Sequence, residues 1–155
     1  MPSDMLSDHD DQEKPPRRSR TTARNLLLGV GAFYVSRWIA ALLRTGLAAL
    51  VGGAMSANGV RQALLTPFVS SMSHALAAAF AGAVVVLLVD SPGTPASARW
   101  RWAMLPAVLW FVASLDEVTI SAPGWVHLVT QLIAAGLPSI VCLAAGNLAD
   151  WHRSR

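Results

Sequence analysis

The chain has 155 residues and a mass of 16.4 kDa, enough for one ordinary domain, yet 54% of its residues are hydrophobic and only 14% are charged, against about a quarter in soluble domains. Five acids (Asp4, Asp8, Asp10, Asp11, Glu13) and five bases (Lys14, Arg17, Arg18, Arg20, Arg24) crowd into the first 24 residues. What remains cannot cover a water-soluble surface, which excludes a soluble globular enzyme, a disulfide scaffold and a nucleic-acid module and leaves an integral membrane protein.

Residues 1–24 are polar, contain Pro15-Pro16 and show no apolar periodicity. They are expected to form a disordered tail, because they bury too little surface to offset the entropy of ordering. Acids precede bases, so the basic half lies next to the first apolar segment and suits an anionic inner-leaflet surface. Arg17-Arg18 resembles a twin-arginine export signal, but Ser19-Arg20-Thr21-Thr22 lacks the apolar pair that should follow. Ala54-Met55-Ser56 resembles a small-residue cleavage site, but the apolar region before it is too long and carries two arginines. The tail is therefore expected to be retained.

From residue 25 to 60 only Arg37 and Arg44 are charged. A helix over 25–56 would be about 48 Å long at about 1.5 Å per residue, more than the roughly 30 Å hydrocarbon core needs. The favoured register lets the cytoplasmic end protrude and puts the span at about 33–55. Arg37 and Trp38 then lie near the inner interface, with Arg44 about 10 Å further in and within snorkelling reach. A span beginning at Leu26 would instead place Arg37 near the midplane, at a cost of at least about 2.5 kcal/mol.

Residues 68–89 form a second span whose only ionisable group is His74, followed by the breaker-rich turn Asp90-Ser91-Pro92-Gly93-Thr94-Pro95. A third span, 99–116, is short, so Arg99 and Arg101 are expected to snorkel, and Pro106 lies within it. Asp116-Glu117 and the turn Ser121-Ala122-Pro123-Gly124 lead to a fourth span, 125–146, which contains Pro138. The expected fold is thus all-α: an integral membrane bundle of four transmembrane helices (residues 25–155) behind a disordered N-terminal tail (1–24).

The charges also predict orientation. Lys14, Arg17, Arg18, Arg20 and Arg24 share one side with Arg99, Arg101, Arg153 and Arg155, while the opposite loops carry only Arg61. The positive-inside rule therefore puts both termini in the cytoplasm. Trp100, Trp102 and Trp151 fall at one interface and Trp125 at the other. Eleven arginines against one lysine, with abundant alanine, suggest a GC-rich bacterial genome and hence a bacterial inner membrane.

Candidate chemistry is sparse. Arg37 and Arg44 are two helical turns apart and share a face, which suits contact with an anionic substrate or lipid headgroup. The alternative is an interface-anchored helix whose arginines snorkel or pair with an acid. His74 and His127 are expected at similar depth in the outer half of the bilayer, with Ser70 and Gln131 extending each into a short polar stripe. Two facing histidines could ligate a haem within a bundle, and Gln131 could join Arg37 and Arg44 in contacting a substrate; the competing role for all three is helix-to-helix hydrogen bonding. Small residues recur four apart, Ala49 with Gly53, Ala78 with Gly82 and Ala135 with Ser139, a spacing that lets helices approach closely. Ser73 adjoins His74, but neighbours on a helix diverge by about 100° and make no dyad. The single Cys142 precludes an intramolecular disulfide.

These readings give a multi-pass inner-membrane protein without enzymatic activity of its own and with no required metal or cofactor, acting as an accessory, assembly or scaffold subunit. Its expected partners are the lipid bilayer and a membrane protein or a second copy, with no nucleic acid. Two other classes stay open: a small oligomeric transporter or channel, and a haem-binding electron carrier using His74 and His127.

Overall fold

The computed structural model describes residues 17–55, 59–89, 96–118 and 125–155, with side chains described at 21–52, 68–89, 99–115 and 132–155. The described chain forms four helices: α1 (Arg17–Met55), α2 (Gly59–Leu88), α3 (Ala96–Val118) and α4 (Trp125–Arg153). Three stretches are long and apolar enough to cross a membrane, Thr21–Gly52, Phe68–Leu88 and Leu132–Arg153. The all-helical expectation holds at this level. α1 starts at Arg17, so the end of the segment expected to be a tail is helical, and its apolar stretch begins well before residue 33. Each helix runs past the apolar run that predicted it, because backbone hydrogen bonding continues after the hydrophobic residues stop.

The helices pair as two antiparallel hairpins laid side by side. α4 runs antiparallel to α3, as Arg99 meets Asp150 and Ala107 meets Ser139. α4 runs parallel to α2, where Gly82 lies against Cys142 and Val86 against Gly146. α1 runs parallel to α3, with Gly29 opposite Leu105 and Ser36 opposite Trp110. The order around the bundle is α1, α2, α4, α3, and among the described residues α1 does not meet α4.

Its side chains are sorted by size. The interior holds small residues, among them Ala77, Ala78, Ala81, Ala103, Ala107 and Ala135. Large apolar residues point outward, including Leu27, Trp38, Leu42, Phe68, Ile133 and Ile140. A water-soluble bundle does the reverse, whereas helices in lipid associate by close backbone approach through small residues.

Gly82 marks the tightest approach: a Cβ there would strike the carbonyl oxygen of Cys142 and lie 2.9 Å from its carbonyl carbon. A Cβ on Gly146 would lie 2.7 Å from that of Ala103. Hydrogen bonds reinforce the contacts. The Ser139 hydroxyl donates to the carbonyl of Ala107 at 2.8 Å, and the Cys142 thiol points at that of Ala103 at 3.6 Å. Pro106 and Pro138 both sit inside helices, as read from sequence, and both are fully buried.

One end of the bundle is tied by charge. Arg99 and Asp150 form an ion pair at 3.2 Å. Arg153 donates to the carbonyls of Val86 and Leu87 at 3.2 and 3.0 Å, satisfying two of the carbonyls left open at the end of α2. Because both side chains of the ion pair are mostly buried, at 21% and 14% exposure, Asp150→Asn is expected to cost more in reversible unfolding from mixed micelles than a surface pair is worth, about 0.2–1 kcal/mol. A loss within that range would mean the pair is solvated.

Candidate functional site

α1, α2 and α3 line a partly open pocket of about 280 Å³, with Arg37, Ala41 and Arg44 exposed at its rim. Its wall on α1 is a single helical face, Arg37, Ala40, Ala41 and Arg44, at the i, i+3, i+4, i+7 spacing that stacks side chains in one stripe. Two alanines between two arginines keep the middle of that wall low. α3 contributes Trp110, Ala113 and Ser114 at the same spacing, and α2 contributes His74.

Trp110 organises the site. It is 3% exposed, and its indole N–H donates to the Ser36 hydroxyl oxygen at 3.0 Å. Ser36, fully buried, passes the bond on by donating to the carbonyl of Phe33 at 2.7 Å. The Phe33 ring meets the Trp110 ring edge-on at 5.8 Å between centroids, and the His74 ring lies 5.3 Å away, tilted by 47°. The Ser114 hydroxyl donates to the carbonyl of Trp110 at 2.7 Å. The indole is therefore held on several sides, with its polar edge satisfied as burial of a tryptophan demands.

The charged lining is cationic. Among the described residues no carboxylate lines the pocket, and neither Arg37 nor Arg44 has a hydrogen-bond or ion-pair partner. Asp116 and Glu117, further along α3, lie outside the described side chains.

The structure brings Arg37, Arg44 and His74 together around this pocket. It does not bring His74 level with His127. With Gly82 beside Cys142, His74 is level with Ala134 on the parallel α4, and His127 lies seven residues, about 10 Å, further along the axis. The side chains of His127 and Gln131 lie outside the described residues. Ser73, beside His74, turns its hydroxyl onto the carbonyl of its own helix at Val69, 2.9 Å away. Among the described residues no three metal-ligating side chains come together.

Sequence reasoning missed Trp110 and Ser36. The clue available was that Trp110, alone among the tryptophans on the third segment, lies far from either end and needs a buried acceptor. Ser36→Ala is expected to leave the buried indole N–H unsatisfied, at a cost of about 1–3 kcal/mol. Unfolding in mixed micelles, together with the Trp110 indole proton shift, would check it; an unchanged stability would mean that the N–H finds another acceptor.

Comparison of the chain with protein families, with curated proteins and with solved structures found no match.

Proposed function

We propose that the chain is a four-span protein of a bacterial inner membrane with both termini in the cytoplasm. It acts without catalysis of its own, as an accessory, assembly or scaffold subunit. The observation that carries the fourth span is the place of α3. It lies along α4 from Arg99–Asp150 to Ala107–Ser139 and along α1 from Leu105–Gly29 to Trp110–Ser36. A helix packed between two candidate spans over those levels occupies the same slab of bilayer. Its 23 residues reach about 35 Å, which is sufficient to cross.

The accessory role is supported by how the chain is used. Helices account for nearly all of residues 17–153, so this part of the chain is a helical body. Among the described residues every helix exposes large apolar side chains, as contact with lipid and membrane partners requires.

The packing also favours a particular register. Gly29 opposite Leu105 puts Arg24 level with Trp100, next to the Arg99–Asp150 pair and the Arg153 cap. If that ring of charges marks the inner boundary, Arg37 lies about 20 Å and Arg44 about 30 Å beyond it, the latter matching the far edge of the hydrocarbon. In this reading the α1 span starts near Arg24 rather than near residue 33, and the two arginines belong to the outer half, with Arg44 within reach of headgroups.

Purification of the full chain in mild detergent, with identification of co-purifying proteins and a visible spectrum, tests the role. A stoichiometric membrane-protein partner or a stable homo-oligomer, with no visible chromophore after expression with ample haem, is expected. A Soret band would replace the accessory reading with the haem carrier.

A further inference from the structure

We infer that the pocket between α1, α2 and α3 is an oxyanion site, taking the phosphate or carboxylate group of an amphiphile or of a small solute. It goes beyond an accessory role and rests on the four-span reading only for the side on which it opens.

Two donors of the lining are already engaged. The indole N–H of Trp110 is engaged by Ser36, and the hydroxyl hydrogen of Ser114 by the Trp110 carbonyl. The guanidiniums of Arg37 and Arg44 remain, and they are donors only. Among the described residues they have no protein partner. A ligand that completes such a lining must bring acceptors and negative charge.

Geometry narrows the class. The two arginines are about 10 Å apart along the helix, close enough for their flexible side chains to converge on one group across Ala40 and Ala41. The planar guanidinium fork matches phosphate and carboxylate oxygens two at a time. A volume of about 280 Å³ is at the lower edge of pockets for drug-sized molecules. It fits a headgroup-sized anion and is too small for a porphyrin. The clamped Trp110 ring offers an apolar wall for the carbon skeleton carrying the anion. With Arg44 about 30 Å from the inner charge ring, the pocket opens toward the outer leaflet, where both a lipid phosphate and a solute in the external aqueous phase can reach it.

The test uses the full chain in a neutral detergent. It is titrated at constant ionic strength with phosphatidylglycerol and, separately, with inorganic phosphate, and bound ligand is counted by native mass spectrometry alongside thermal melting. Saturable binding of one equivalent with a raised melting temperature is expected. Binding of the lipid alone assigns a headgroup, and binding of phosphate as well assigns a soluble oxyanion. The pair R37Q/R44Q is expected to weaken binding at least about tenfold, whereas R101Q, on the same helix as Trp110 but outside the pocket, leaves it unchanged. Should the double variant not fold, R44K keeps the charge, loses the fork and is expected to weaken binding several-fold. No saturable binding of either probe, or equal losses in R101Q, overturns the site. Failure of the topology does not touch this readout, so the two readings fall separately.

Discussion

Gly82→Ala is expected to destabilise the bundle although it adds one methyl group to a helix that would otherwise welcome it. In an exposed helix the change from glycine to alanine gains roughly 0.5–1 kcal/mol. At Gly82 the new Cβ meets the backbone of Cys142 on α4, with the carbonyl carbon at 2.9 Å and the Cα at 3.2 Å. Backbone cannot turn aside as a side chain can, so the helices must separate along their most extensive interface. Overpacking of this kind costs about 1–3 kcal/mol, and Gly82→Leu is expected to leave no folded monomer. Gly31→Ala, which meets nothing within 4 Å, supplies the opposite sign in the same assay. Gly29→Ala is expected to be mild, since it meets the far end of the flexible Leu105 side chain. Unfolding by SDS titration from mixed micelles reads all four; a neutral Gly82→Ala would mean that α2 and α4 do not pack as described.

The second large effect is at Trp110. Truncating a tryptophan in an aqueous core costs about 3–5 kcal/mol. In lipid the transfer part of that cost shrinks, because the surrounding solvent is itself apolar, while the packing part persists. Trp110→Ala is therefore expected to cost about 2 kcal/mol or more. It removes the acceptor's donor at Ser36, the edge contact with Phe33 and the wall against His74 together. Trp110→Phe keeps a six-membered ring but loses the indole N–H and the fused five-membered ring, so it should fall between the wild type and Trp110→Ala. Equal losses in the two variants would mean that a phenyl ring recovers none of the packing, and comparison with Ser36→Ala separates out the hydrogen bond.

Segment boundaries were the legible part of the sequence. The breakers between Asp90 and Pro95, and between Asp116 and Gly124, mark where α2 gives way to α3 and α3 to α4. The clusters of Arg99 and Arg101 and of Asp150 and Arg153 mark one end of the bundle. Pairing was not legible. α1 and α2 show almost no amphipathic periodicity, so no stripe declares which of their faces meets a neighbour. Spacing of small residues helps only after the fact: Ala78 with Gly82 and Ala135 with Ser139 do lie at interfaces, while Ala49 is exposed.

The same limit hid the pocket. Arg37 and Arg44 could be placed on one face from their spacing, but which helix that face meets depends on α1 lying parallel to α3. That arrangement follows from three-dimensional close approaches at Gly29, Gly82 and Gly146, and a one-dimensional pattern does not encode them. The histidines illustrate the converse. Equal depth for His74 and His127 followed from counting residues from the ends of their segments, and the α2–α4 register set at Gly82 displaces them by about 10 Å.

The number of membrane crossings is decided most directly by the side on which the C-terminus emerges. Three long apolar stretches are evident from length and composition, and α3 is the helix in question. If α3 spans, the chain crosses four times and Arg155 returns to the side of Lys14; if it does not, the two ends lie on opposite sides. Reporter fusions at Thr94 and at the C-terminus, with Gly59 and Ser121 as the outward references, read this in intact cells. A cytoplasmic signal at Thr94 and at the C-terminus, with external signals at Gly59 and Ser121, is the predicted result. A cytoplasmic signal at Thr94 together with an external C-terminus would contradict it.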